Sequence, residues 1–150
     1  MKKYKVLIAL TAMLLLMCGC GKKETIDISE LSGALAESVS FSEQLTQIDV
    51  SNIEKRYALN SKDYAEVAAF VGTLSTCDEY VIVKTENPEA MIEKFNKYIE
   101  KKREEYKVYR PDEVYKLDSA VIETHNKSVV MIITADSENA IDVYKKYLKK

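Results

Sequence analysis

The sharpest chemistry in this chain is carried by a cysteine. In Met17-Cys18-Gly19-Cys20 an apolar run ends and a sulfur nucleophile follows directly on a small residue. A thiol so placed can take a diacylglyceryl group, and the glycine before it lets a peptidase fit the backbone at the cut. Cys20 meets both demands. Cys18 does not, because bulky Met17 precedes it. The other residues able to do chemistry are fewer and less ordered. They are Cys77, the single histidine His125, and the carboxylate pairs Asp78-Glu79 and Asp112-Glu113.

The segment that positions Cys20 has the grammar of an export signal. Lys2, Lys3 and Lys5 form a basic start, Val6 to Met17 carries no charge, and Lys22-Lys23 follow at once. A run of twelve residues is too short to span a bilayer, which takes about 20. The tetrapeptide resembles a bacterial lipobox, with methionine in place of the usual leucine and cysteine where alanine or serine is commoner. Residues 1–19 are therefore read as a lipoprotein signal peptide, residues 20–27 as a lipidated tether, and residues 28–150 as a single domain. Two acyl chains, at about 0.8 kcal/mol per buried CH2, hold a protein on a membrane stably. Residues 21–27 reach at most ~25 Å, at ~3.3–3.6 Å each, so the domain is expected close to the membrane, on its extracytoplasmic face.

Charge and cysteine content bound the partners. The whole chain carries 22 basic and 24 acidic residues; removing residues 1–19 takes three lysines, leaving 19 against 24, or −5. A net acidic domain excludes nucleic acid as an expected partner. Cys77 is the one cysteine after Cys20, so no internal disulfide can form. It is read as a small half-buried turn residue rather than a reactive thiol.

Periodicity supplies the elements. Ile28, Leu31, Leu35 and Val39 recur at helical spacing behind a cap at Asp27 or Ser29. Phe41, Leu45 and Ile48 continue an apolar thread into a short helix over 51–59, and 60–63 is a turn cluster. Ala65 to Val71 and Tyr80 to Lys84 read as a hairpin. Asn87-Pro88-Glu89 then opens a long helix to about Tyr106, capped by Asn87 with proline at its first position. Its inner face is Ile92, Phe95, Ile99 and the stem of Lys102. Tyr109 to Asp112 ends it. Strands over 119–124 and 128–134 flank a turn at His125-Asn126-Lys127, and Asp136 or Ser137 caps a last helix facing inward through Ala140, Ile141, Tyr144 and Leu148.

A shift of 49 residues lays Val81 on Val130, Thr85 on Thr134, Ile92 on Ile141 and Tyr98 on Tyr147 without a gap. An internal repeat and a chance similarity of amphipathic strand–helix pairs predict the same architecture. The expected fold is α+β: a four-stranded, mainly antiparallel sheet made of two β-hairpin-plus-helix units, with both repeat helices on one face. The strands at 67–71 and 129–133 are apolar on both parities, so the N-terminal helices are expected over the other face.

No catalytic set emerges. His125 is read as an exposed turn residue, and with Cys77 it makes a poor start for a zinc site, which takes three or four ligands. Past Gly21 only Gly33 and Gly72 remain, so there is no glycine-rich phosphate loop. Neither a Ser-x-x-Lys motif nor a calcium loop occurs. Asp78-Glu79 and Asp112-Glu113 are read as solvated loop charges. The reading assigns no catalytic, cofactor or metal residues and one lipidation site, Cys20. The mixed charges of the long helix are read as a solvated face, and Lys145, Lys146, Lys149 and Lys150 as favourable partners of the last helix dipole or contacts for anionic headgroups.

The helix at Ile28–Val39 with Phe41, Leu45 and Ile48, the run Asp78 to Lys84, Tyr109-Arg110-Pro111-Asp112-Glu113 with Lys116-Leu117 and Ala120-Val121, and the strand at Val129–Asp136 together resemble a family. It is that of small Gram-positive lipoproteins carrying domain of unknown function 4358. The resemblance implies one compact α+β domain on a lipid anchor and no assigned activity. The expected role is a non-enzymatic binding or adaptor module at the membrane surface, with an envelope protein as a possible partner. An accessory subunit of an envelope polymer-modifying or transport system is the alternative, and an enzyme of unknown class the third.

Overall fold

A computed structural model of the chain describes residues 25–150. The expected signal segment and Cys20 lie outside the described residues. Helix α1 (Ile28–Ser38) is capped by Asp27, whose Oδ1 accepts from the Glu30 amide at 2.9 Å. Strand β1 (Thr46–Gln47) leads to α2 (Val50–Tyr57), capped by Asp49 rather than started at Ser51. Strands β2 (Glu66–Val71) and β3 (Glu79–Lys84) follow, and then α3 (Pro88–Tyr109), with Asn87 as cap and Pro88 at the first position as expected. A 3-10 turn (Pro111–Glu113), the short helix α4 (Val114–Asp118), strands β4 (Val121–His125) and β5 (Ser128–Ile133), and helix α5 (Ser137–Tyr147) complete the chain.

The fold class is α+β, and the sheet is antiparallel throughout, but among the described residues it has five strands in the order β1-β2-β3-β5-β4. The fifth is β1, where Thr46 pairs with Val71 and Gln47 with Phe70. Two residues are too few to show alternation, which is why the sequence read this stretch as thread. The segment 111–118 was likewise missed, since five helical residues complete little more than one turn.

The expectation that both repeat helices share a face is overturned. Met91, Phe95 and Ile99 of α3 pack with Val81, Val83, Val129, Met131 and Ile133, joined by Ile53 and Tyr57 of α2. Ala140 and Tyr144 of α5 pack with Tyr80, Ile82, Val130 and Ile132, joined by Leu31 and Leu35 of α1. Each helix therefore folds back over the residues that the 49-residue shift equates, Val81 and Val83 in one unit and Val130 and Ile132 in the other. The register sets Val81 opposite Met131 and Ile82 opposite Val130. Cross-strand partners share a face, and successive residues do not. Equivalent strand positions consequently look to opposite faces, and the helices follow them. The result is a sheet covered on both sides, as its two-parity apolar strands require.

The loop joining β2 to β3 is drawn tightly against its surroundings. The Gly72 amide donates to the Asp78 carbonyl at 3.0 Å. A Cβ at Gly72 would stand 2.6 Å from Glu43 Oε1 and 2.6 Å from the Thr76 methyl. Thr76 is buried and cannot retreat, so glycine is what lets this loop close over the end of the sheet.

Candidate functional site

Beneath that loop lies a cluster of buried charges. Asp78 and Glu79 are not the solvated loop charge their sequence context predicts: they are 1% and 0% exposed, and Glu113 is also buried. Glu79 is in fact the first residue of β3. Of the two sequence pairs only Asp112 stays exposed, held by Arg110 at 3.0 Å. The reason is supplied by elements distant in sequence. Lys116 Nζ, from α4, lies 2.9 Å from Asp78 Oδ1 and 2.8 Å from Glu113 Oε2. It also donates to Ser42 Oγ at 2.7 Å and Thr76 Oγ1 at 3.2 Å. Glu113 Oε2 accepts further from Thr76 Oγ1 at 2.9 Å and the Cys77 amide at 3.0 Å. The Ser42 amide donates to Asp78 Oδ2 at 2.5 Å.

A second group adjoins it. Glu79 Oε2 accepts from two Arg56 guanidinium nitrogens, Nε at 2.9 Å and Nη2, and lies 3.1 Å from Lys102 Nζ. Lys102 also donates to the Cys77 carbonyl at 3.1 Å. The sequence placed the Lys102 stem on the inner face; the structure buries its ammonium as well. Tyr98 and Tyr106 lie under that ammonium, with ring centres 5.7 and 5.4 Å away.

The electrostatics follow from these contacts. Burial would raise the Glu113 carboxyl, but hydrogen bonds from Lys116, the Cys77 amide and Thr76 outweigh it and hold the group below its usual value. Burial would lower the Lys116 ammonium, but Glu113 and Asp78 outweigh it and raise it. At Lys102 burial prevails over the Glu79 charge, and the ammonium titrates below its usual value.

Cys77, Asp78 and Glu113 bring three possible ligand atoms within 4.8 Å of one another. The Lys116 ammonium, however, already stands against both carboxylates, so the place a cation would take is filled by a side chain. His125 is at the other end of the sheet, where it pairs with Ser128 beside the two-residue turn, and it does not join this cluster. Cys77 is fully buried rather than half-buried, and burial pushes its thiol up to about 12. A thiol so held is almost wholly protonated at neutral pH and weakly nucleophilic. The expected result with a disulfide reagent at pH 8 is very slow modification of the native protein and fast modification in urea. Fast native labelling at Cys77 would contradict the burial.

The other feature is open rather than filled. On the face that carries α1 and α5, α1 packs over β3 and α5 over β4 and β5, and Phe70 of β2 is only half-buried. A groove of about 760 Å3 runs there between α1 and the segment Val39–Leu45, and a second of about 610 Å3 continues it along β2. Ser32 and Phe70 line both. Phe70 stacks on Tyr80 at 4.7 Å and 19°, and Phe41 meets Tyr80 at 5.7 Å. Ser32 is 7% exposed, and its Oγ has no hydrogen-bond partner among the described residues. Gly33 also faces the groove, and a Cβ there would meet no heavy atom within 4 Å. Sequence reasoning did not single out Ser32 or this groove, because a groove depends on how distant elements pack and not on the spacing within one helix.

The family model described as a domain of unknown function (DUF4358) matches residues 37–134, well over half of the chain. The match takes in every member of the buried charge cluster and stops short of most of α1 and all of α5. No curated protein and no solved structure matches the chain.

Proposed function

The chain belongs to the DUF4358 family, and from that premise we propose that it is a lipid-anchored, extracytoplasmic binding module of a Gram-positive envelope rather than an enzyme. The observation that carries this reading is a contrast. The buried carboxylates that could do acid–base work are engaged by Lys116, Lys102 and Arg56. The groove beside α1 is open and is lined by Phe41, Gln44 and Phe70. Groups locked in ion pairs are poor proton carriers, whereas a concave apolar surface with a few polar atoms suits a ligand.

The chain's course also agrees with an anchor at one end. The Asp27 amide donates to the Tyr147 hydroxyl at 2.8 Å, so α5 ends beside the start of α1, to which the proposed tether leads. Lys149 and Lys150 follow Tyr147 there, where anionic headgroups would favour them. The most exposed apolar side chains, Leu74 at 95% and Tyr109 at 78%, lie toward the opposite end, where β3 begins and α3 stops.

The test uses the protein purified from detergent-solubilised membranes. A specific co-purifying partner, or an envelope component that raises the melting temperature, is expected. Phe70→Ala, which removes a ring that lines both parts of the groove, should weaken the effect. Neither a partner nor any stabilising component would overturn the reading.

A further inference from the structure

We propose that the cleft between α2 and α3, with Leu74 at its rim, is a docking site for an acidic polypeptide segment that also carries an apolar side chain. This surface is separate from the groove beside α1. Charge singles it out. From residue 20 onward the chain is net acidic, with 19 basic against 24 acidic residues. The cleft nonetheless gathers Lys55 and Arg56 from α2 and Lys101 and Lys102 from α3, with Glu105 as the single acidic residue in its lining. Those cations are under-matched. Arg56 and Lys102 both engage one oxygen, Glu79 Oε2, so a single buried carboxylate serves two of them. Lys101 meets Glu105 only at 3.8 Å, and both side chains are more than half exposed. Lys55 makes no ion pair among the described residues. An anionic segment would meet complementary charge here.

The apolar half of the site is Leu74. It is 95% exposed on the loop between β2 and β3, and that loop is fixed on both sides of it. The Thr73 amide donates to Glu43 Oε1 at 2.5 Å, and the Tyr106 hydroxyl donates to the Thr76 carbonyl at 2.8 Å. Val108 and Tyr109, also well exposed, lie three and four residues past Glu105 and share its side of α3. Adjoining apolar side chains left in water mark an interaction surface, where a scattered one would not. A leucine already held in place leaves less to be ordered on binding.

Size and position choose the occupant. At about 260 Å3 the cleft is smaller than the roughly 300–1,000 Å3 of small-molecule sites. It has room for an acidic side chain, while Leu74 and Tyr109 outside it cover the next residues of the same segment. A free phosphate would leave that rim bare. Anionic headgroups are at the wrong end. The tether proposed above arrives at Asp27, which lies with Lys84 along the groove beside α1, and Leu74 stands beyond Glu79, the other end of β3.

The test selects short random peptides displayed on phage against the detergent-purified full chain, then measures the selected peptides as fluorescent conjugates by anisotropy. Sequences rich in Asp and Glu beside Leu, Ile or Phe are expected, with affinity that falls as salt is raised. Lys55→Glu combined with Lys101→Glu should weaken binding at least tenfold, and Leu74→Ser about tenfold, as expected for losing one leucine from an interface. All three side chains are exposed, so the melting temperature should hold. Selected peptides without an acidic bias, affinity unmoved by these variants, or displacement by millimolar inorganic phosphate at constant ionic strength or by vesicles of anionic phospholipid would each overturn the proposal. If acidic peptides bind here and Phe70→Ala leaves the co-purifying partner or stabilising component unaffected, the proposal stands and the groove reading falls. If no peptide binds while Phe70→Ala weakens that effect, the proposal falls and the groove reading stands.

Discussion

Lys116→Met is expected to remove about 3–5 kcal/mol of folding stability, the range for breaking a buried ion pair from one side. The size follows from what is left behind. Methionine keeps most of the side-chain volume, so the loss reports charge rather than packing. Asp78 at 1% exposure and Glu113 at 9% would face each other with no cation between them. Each would have to protonate or draw in water. For a domain whose total stability is typically about 5–15 kcal/mol, such a loss should broaden or abolish folding at 37 °C. The comparison is Lys127→Met, which breaks an ion pair with Glu86 whose partners are 70% and 79% exposed; surface pairs contribute about 0–1 kcal/mol. Urea unfolding of the two variants checks the contrast, and equal losses would refute the assigned role of Lys116.

The same cluster fixes a pH window. The Glu113 carboxyl is held below its usual 4.5, so its contribution is complete above that value and is lost as pH falls through the lower, folded value. The Lys116 ammonium is held above its usual 10.5, so its contribution is complete below that value and is lost as pH rises through the higher, folded value. The two contributions together should give a plateau across neutrality with loss at both extremes. A urea midpoint that climbs steadily from pH 5 to pH 9 would contradict it.

Cys20→Ser is expected to abolish lipidation outright. A serine hydroxyl at neutral pH is a far poorer nucleophile than a thiol, whose thiolate is the reactive form. Acyl transfer should stop, leaving uncut precursor or protein released to the medium. Cys18→Ala should change nothing, because Cys18 would leave with residues 1–19. Mass spectrometry of detergent-extracted protein decides the matter. A lipid-modified N-terminal peptide beginning at Cys20 is the expected result, and an unmodified Cys20 thiol in mature protein refutes it.

What the sequence determined alone is what local interactions decide. The cap at Asn87, the proline opening α3, the helix period through Phe95 and Ile99, and the turn before Ser128 each depend on residues a few positions apart, and so does the first cap, which the sequence narrowed to Asp27 or Ser29. Their chemistry is therefore visible in a short window. The two-parity apolar strands likewise required that both sides of the sheet be covered. Which helix covers which side depended on the register of β3 against β5, a pairing between residues about 50 apart that leaves no mark in either strand alone. The same distance hid the charge cluster. Asp78 looks like a loop acid until Lys116 and Ser42 arrive from far along the chain, and burial of a charge is tolerable only once its partners are present. The groove is the extreme case: it exists because α1 and α5 pack over other strands of the face they share, and an unfilled space is a property of the whole packing, carried by no residue on its own.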